Sequence, residues 1–81
     1  MCYGVLYDID DERERQEALW GEEHDDDNTM PEWISTVVHY LGKGQTRTAW
    51  VPREDLIKAA AVIVAAIEAG DRKQVWDMVN E

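Results

Sequence analysis

The sequence predicts an all-α fold, a small bundle of three main helices plus a short C-terminal helix, completed by oligomerisation. Three observations lead there. Residues 59–67 are an unbroken apolar run with five alanines between Lys58 and Glu68, and alanine is the best helix former and poor in strands. Residues 29–41 carry a helix start signal followed by helical apolar spacing. Glycines and prolines fall where such helices should stop and start, at Gly42, Gly44, Pro52 and Gly70.

Taken in order, residues 1–7 (MCYGVLY) are apolar and aromatic around Gly4. Their periodicity fits a short strand or the lead-in to a helix equally well. Asp8, Asp10 and Asp11 supply cap oxygens and negative charge for a helix N-terminus, and no breaker intervenes before Gly21. Helix 1 is therefore expected over residues 9–20. Only Ile9, Ala18, Leu19 and Trp20 could dock it, which places it on the outside of the bundle. Residues 21–28 (GEEHDDDN) follow a glycine with no apolar side chain and read as a loop. Counted from Asp25, Met30 and Thr36 stand where an EF-hand loop needs glycine and glutamate, so no calcium loop is present.

The stretch TMPE at 29–32 has the form of a capping box with proline in the first turn. Met30, Trp33, Ile34, Val37, Val38 and Leu41 then keep the i, i+3, i+4, i+7 rule, with Glu32, Thr36, His39 and Lys43 on the other side. Residues 45–51 connect to Pro52, which opens helix 3. That helix is apolar all round and should be covered on every side, its stripe Ala61, Ala65, Ala69 admitting a close neighbour. Its apolar run is too short to span a bilayer. After Gly70, Asp71 can cap a fourth short helix carrying Val75, Trp76, Met78 and Val79, or helix 3 continues with a bend. Trp20 and Trp33 sit at helix ends and read as core anchors.

At 81 residues the chain is one domain near the lower limit for a self-sufficient core, so self-association is expected. A lone cysteine, Cys2, excludes an internal disulfide framework, and with no secretory signal pattern a cytoplasmic location is expected. Residues 1–32 hold 12 acids and 2 bases, whereas residues 33–81 hold 6 of each. All of the −10 formal charge thus sits in the first part of the chain. This disfavours nucleic acid and anionic membranes as direct partners and leaves a solvated face that keeps the protein soluble, metal ions, or a basic protein partner. The candidate surface for such a partner is Glu22, Glu23, Asp25, Asp26 and Asp27. No phosphate loop, CxxC pair, HExxH or GxSxG motif occurs, so no catalytic residue and no resident metal or cofactor is assigned.

Three stretches, ERERQEALWGEEHDDD (12–27), PEWISTVVHYLGKG (31–44) and PREDLIKAAAVIVAAIEAGDRK (52–73), resemble small phage and prophage proteins related to MazG-type all-α nucleoside triphosphate pyrophosphohydrolases. In that family an ERxRQ…WG…H opening precedes a helix carrying EExxE, and a later acidic pair opens an alanine-rich helix; together those acids hold Mg²⁺ against the triphosphate. With Trp33 on the family's tryptophan, EExxE falls on His39, Tyr40 and Lys43. Glu54 and Asp55 remain acidic, but Lys58 follows three residues later.

The resemblance therefore implies a helical protein that has lost hydrolysis. His39, Lys43, Glu54 and Lys58 are its candidate ligand-binding set, with lysines where cations would lie. The expected function is a MazG-like binding or oligomeric module. The alternative is an acidic phage inhibitor of a host nucleic-acid-handling or defence protein. A third reading, an active pyrophosphohydrolase, would require Mg²⁺.

Overall fold

The computed structural model describes residues 3–42 and 50–78. These form α1 (Tyr3–Asp27), α2 (Met30–Leu41), α3 (Arg53–Lys73) and a terminal 3-10 turn (Trp76–Met78), with no strand among the described residues. α1 and α2 each pack along α3 and scarcely touch one another, so α3 is the axis of the fold. No helix among the described residues is long and apolar enough to cross a membrane.

α2 is the helix the sequence describes best. Thr29 is its N-cap, and the Glu32 carboxylate accepts hydrogen bonds from the Thr29 amide and hydroxyl, both at 2.9 Å. Its Trp33 joins Val62, Ala65 and Ala69 of α3 in the core, with Val37, Tyr40 and Ala66 packed around them. The alanine stripe is spent inside the chain, where Ala61, Ala65 and Ala69 are all buried.

Within one chain, α3 is not covered on every side. Two helices shield only two sides of a cylinder, and Leu56, Ile63 and Ile67 remain exposed. α3 also runs through Gly70 to Lys73, ending where Gln74 adopts a left-handed conformation (φ 55°, ψ 46°). Gly70 serves a different purpose from termination. A Cβ there would stand 2.5 Å from the Trp76 ring, so the glycine is the seat on which the indole lies. Asp71 accepts from the Trp76 indole Nε1 at 2.6 Å, which fixes the ring over that seat.

α1 departs furthest from expectation. Residues 3–7 belong to its first turns, resolving the strand-or-helix ambiguity as helix, and residues 22–27 are helical where a loop was expected. Gly21 breaks the helix between its arms with φ 80°, ψ 166°, a region open essentially to glycine alone. Of the apolar residues expected to dock α1, only Ile9 is half-buried. Leu19 and Trp20 are 60% and 43% exposed, whereas Arg13 and Gln16 are buried. Trp20 is thus no core anchor; its indole stacks on His24 instead, centroids 5.9 Å apart.

Candidate functional site

The Gly21 break folds α1 back on itself. Twelve residues of straight helix would separate Arg13 from Asp25 by about 18 Å, yet Arg13 Nη2 donates to Asp25 Oδ2 at 3.1 Å. Both side chains are more than nine-tenths buried. Arg13 Nε reaches across to Glu68 of α3 at 2.9 Å, and Glu17 lies 3.7 Å from the same guanidinium. Gln16 donates to Glu12 and to the Lys58 carbonyl, tying α1 to the backbone of α3. Farther along, Arg72 clasps Asp26 at 2.7 and 2.9 Å.

Inside this elbow is a cavity of about 200 Å³. Arg13, Gln16 and Asp25 line its polar side, while Trp20, His24 and Trp33 supply rings. All but Trp33 come from the ERERQEALWGEEHD run, whose hydropathy gave no hint of burial. The available signal was the repeated charge pattern itself: an arginine and a glutamine among acids, followed by a glycine that lets the chain return.

The residues singled out from sequence are distributed differently. Glu54 and Lys58 share an open cleft with Asp8, Glu12, Arg15 and Arg53. His39 is exposed on α2 with its ring edge-on to Tyr40, and it does not line that cleft. Lys43 lies outside the described residues. Of the proposed acidic surface, Glu22, Glu23 and Asp27 are exposed, Asp26 is engaged by Arg72, and Asp25 is not at the surface at all. Asp25 is inside because it neutralises a buried guanidinium. Among the described residues, the carboxylates near enough to share a cation are Asp10, Asp11 and Glu14, all exposed.

Two glutamates have acidities set by these local bonds. Arg15 donates to Glu12 at 2.6 and 2.9 Å and holds its carboxyl below the ordinary range, with burial opposing and Gln16 assisting. Glu32 is lowered by the hydrogen bonds from Thr29.

On the far side of the core, α2 and α3 enclose a groove of about 320 Å³. Met30, Ile34, Val38, Ile63, Ile67 and Trp76 line it, each between 48% and 59% exposed. Among the described residues, no charged side chain contributes. Charge is divided to match: α1 holds eleven acids and two bases, a formal −9, α2 one acid and no lysine or arginine, and α3 four of each.

No family model matches the sequence, and neither a curated protein nor a solved structure matches it.

Proposed function

We propose that the protein is a MazG-like helical interaction module that self-associates and does not hydrolyse nucleotides. The observation carrying this reading is the uncharged apolar groove between α2 and α3. A second copy is the occupant its chemistry favours. Every chain carries −9 on α1, so copies repel through that helix and meet at lowest electrostatic cost through the nearly neutral α2/α3 side.

The magnitudes are adequate. Fully burying an Ile, Met or Val side chain returns about 1.5–3 kcal/mol, so covering the exposed half of each returns roughly 1 kcal/mol. Two protomers contribute five such side chains each, which brings the total to the order of the association cost of about 4–15 kcal/mol. The expected product is a concentration-dependent dimer. Absence of hydrolysis follows from His39, Tyr40 and Lys43 standing at the positions where the resemblance requires three carboxylates.

Sedimentation across micromolar concentrations tests the first part: mass should rise above the 9.4 kDa monomer, and Val38→Asp should abolish the rise with helicity unchanged. A monomer at every concentration removes the proposal. For the second part, pyrophosphate release from nucleoside triphosphates with Mg²⁺ should stay at background, and chelator-sensitive turnover would reinstate the hydrolase. A second reading, an acidic inhibitor of a basic host protein, is favoured by the charge on α1; its binding should weaken steeply with salt, since such charges are screened beyond about 8 Å at physiological ionic strength.

A further inference from the structure

We infer that the cavity at the α1 elbow is a receptor for one neutral, planar amide group. The first argument is the hydrogen-bonding capacity left over in its buried lining. Arg13 spends Nε on Glu68 and Nη2 on Asp25, which leaves Nη1 with no acceptor among the described residues. Gln16 donates both of its bonds through Nε2, so its Oε1 accepts none there. Asp25 accepts on Oδ2, and its Oδ1 has only His24 Nδ1 at 3.7 Å, beyond hydrogen-bond reach. All three side chains are more than nine-tenths buried. Among the described residues no fully enclosed side-chain nitrogen or oxygen lacks a partner, so these three atoms open onto accessible space. The elbow cavity is the space that all three residues line. Its free capacity is one donating group and two acceptors, and a primary carboxamide offers the complement, one carbonyl and two N–H.

The second argument is charge. Arg13 and Asp25 are the charged side chains that line the cavity, and they are bonded to each other at 3.1 Å. The lining is therefore balanced, and a charged guest would be desolvated there without a counter-charge of its own. A neutral guest avoids that cost and still meets polar atoms that lose free energy while they stay unpaired.

The third argument is the wall and the size. Trp20, His24 and Trp33 line the cavity with rings, and Trp20 is held by its stack on His24, at 24° between ring planes. A flat group covers apolar ring surface that water would leave wet. At about 200 Å³ the space equals six or seven water volumes of roughly 30 Å³ each. That admits an amide on a short stem and falls below the range of about 300–1,000 Å³ typical of drug-sized ligands. The group can arrive on a free small molecule or on a glutamine side chain of a peptide. This inference is independent of self-association, since the groove and the elbow share only Trp33.

The test is a titration of the full chain with propionamide, followed through the indole N–H resonance of Trp33 and the guanidinium Nε–H resonance of Arg13. Saturable shifts of both are expected. Butanone has the same shape and carbonyl but no N–H, so it should bind roughly tenfold more weakly. Ethylguanidinium and propionate, each carrying a charge, should not saturate. These comparisons use the parent chain and need no variant to fold. Trp20→Ala, at a position 43% exposed, should weaken propionamide roughly tenfold with circular dichroism unchanged, and Val38→Asp in the α2/α3 groove should leave its affinity as it is. A glutamine tripeptide that binds more tightly than propionamide, its glutamate counterpart being silent, assigns the group to a protein side chain; affinity no better than propionamide's assigns it to a free small amide. No saturable shift up to about 50 mM overturns the inference. So does butanone or a charged probe that binds as well as propionamide, undiminished affinity in a folded Trp20→Ala, or a loss of affinity in Val38→Asp.

Discussion

α1 and α2 rest on the same helix by opposite chemistry. α2 offers α3 an indole, a valine and a tyrosine ring and keeps Glu32 and His39 outside. α1 offers Arg13, Gln16 and Asp25 and leaves Leu6, Tyr7 and Leu19 in water. Apolar contact is non-directional and gives way gradually, whereas a buried polar contact depends on a few bonds and leaves an uncompensated charge when one is removed. The two interfaces should therefore fail differently. α1 should be lost by single substitutions, and α2 should yield in proportion to volume.

The largest effect is expected from splitting the buried ion pair. Arg13→Leu strands Asp25, which is 4% exposed, and should cost about 3–5 kcal/mol. The double replacement Arg13→Leu/Asp25→Leu should cost less than Arg13→Leu alone, because Asp25 is then no longer left as a buried charge without its guanidinium. Urea unfolding of the three variants decides the matter; a single variant losing under about 1 kcal/mol would mean that α1 is held by something other than this network. Asp25, Asp26 and Asp27 are therefore not interchangeable surface charges. Changing all three to asparagine should unfold the elbow, since Asp25 and Asp26 hold Arg13 and Arg72.

Next in size is the hinge. Gly21→Ala meets no steric neighbour within 4 Å, so any loss reports backbone strain at φ 80° alone. It should cost of the order of 1–3 kcal/mol and shift Trp20 fluorescence as the stack on His24 opens. Full stability with unchanged fluorescence would show that the fold-back does not need glycine.

On the apolar side, Ala65→Leu should cost roughly 1–3 kcal/mol by overpacking. Because Ala65 is 3% exposed within one chain, the loss should be independent of protein concentration. Val38→Asp makes the contrast: within about 0.5 kcal/mol of parental stability for the monomer, with its whole effect on association. Concentration dependence in the Ala65 variant would place that alanine at a subunit contact instead.

How much of this was legible in the chain follows the same division. α2 and α3 could be read because apolar spacing, the capping box and the alanine run are all signals of burial or helix geometry. α1 could not, because Arg13, Gln16 and Asp25 look like solvent-facing residues until the chain folds back on itself. That return depends on Gly21 at positive φ, and a glycine before seven polar residues reads as an end to helix. Gly70 misled for a related reason: it is small to admit Trp76, a contact that no local pattern announces. The groove was half legible. Met30, Ile34 and Val38 belong to the apolar stripe expected to be covered, and only the packing shows that the stripe is wide enough to bury one edge and expose the other.

The smallest expected effect is on pH dependence, and it separates the helices once more. Glu32 and Glu12 both have folded-state acidities shifted down, by hydrogen bonds from Thr29 and from Arg15 respectively. A carboxyl lowered in the folded state contributes stability that is complete above its unfolded pKa, about 4.3 for glutamate, and is lost as pH falls through the folded value. Acid should therefore loosen the start of α2 and the Glu12–Arg15 pair together, with little change between pH 6 and 8. The Glu32 carboxyl is exposed, so its loss should be a fraying of the first turn of α2 rather than unfolding. The Thr29 amide proton, bonded to Glu32 at 2.9 Å, is the reporter. Its resonance should titrate with a midpoint below the ordinary glutamate range, and Glu32→Gln should make it flat while leaving the acid response of Glu12 in place. A Thr29 amide that does not titrate in the parent would remove the capping box from the account of why α2 begins where it does.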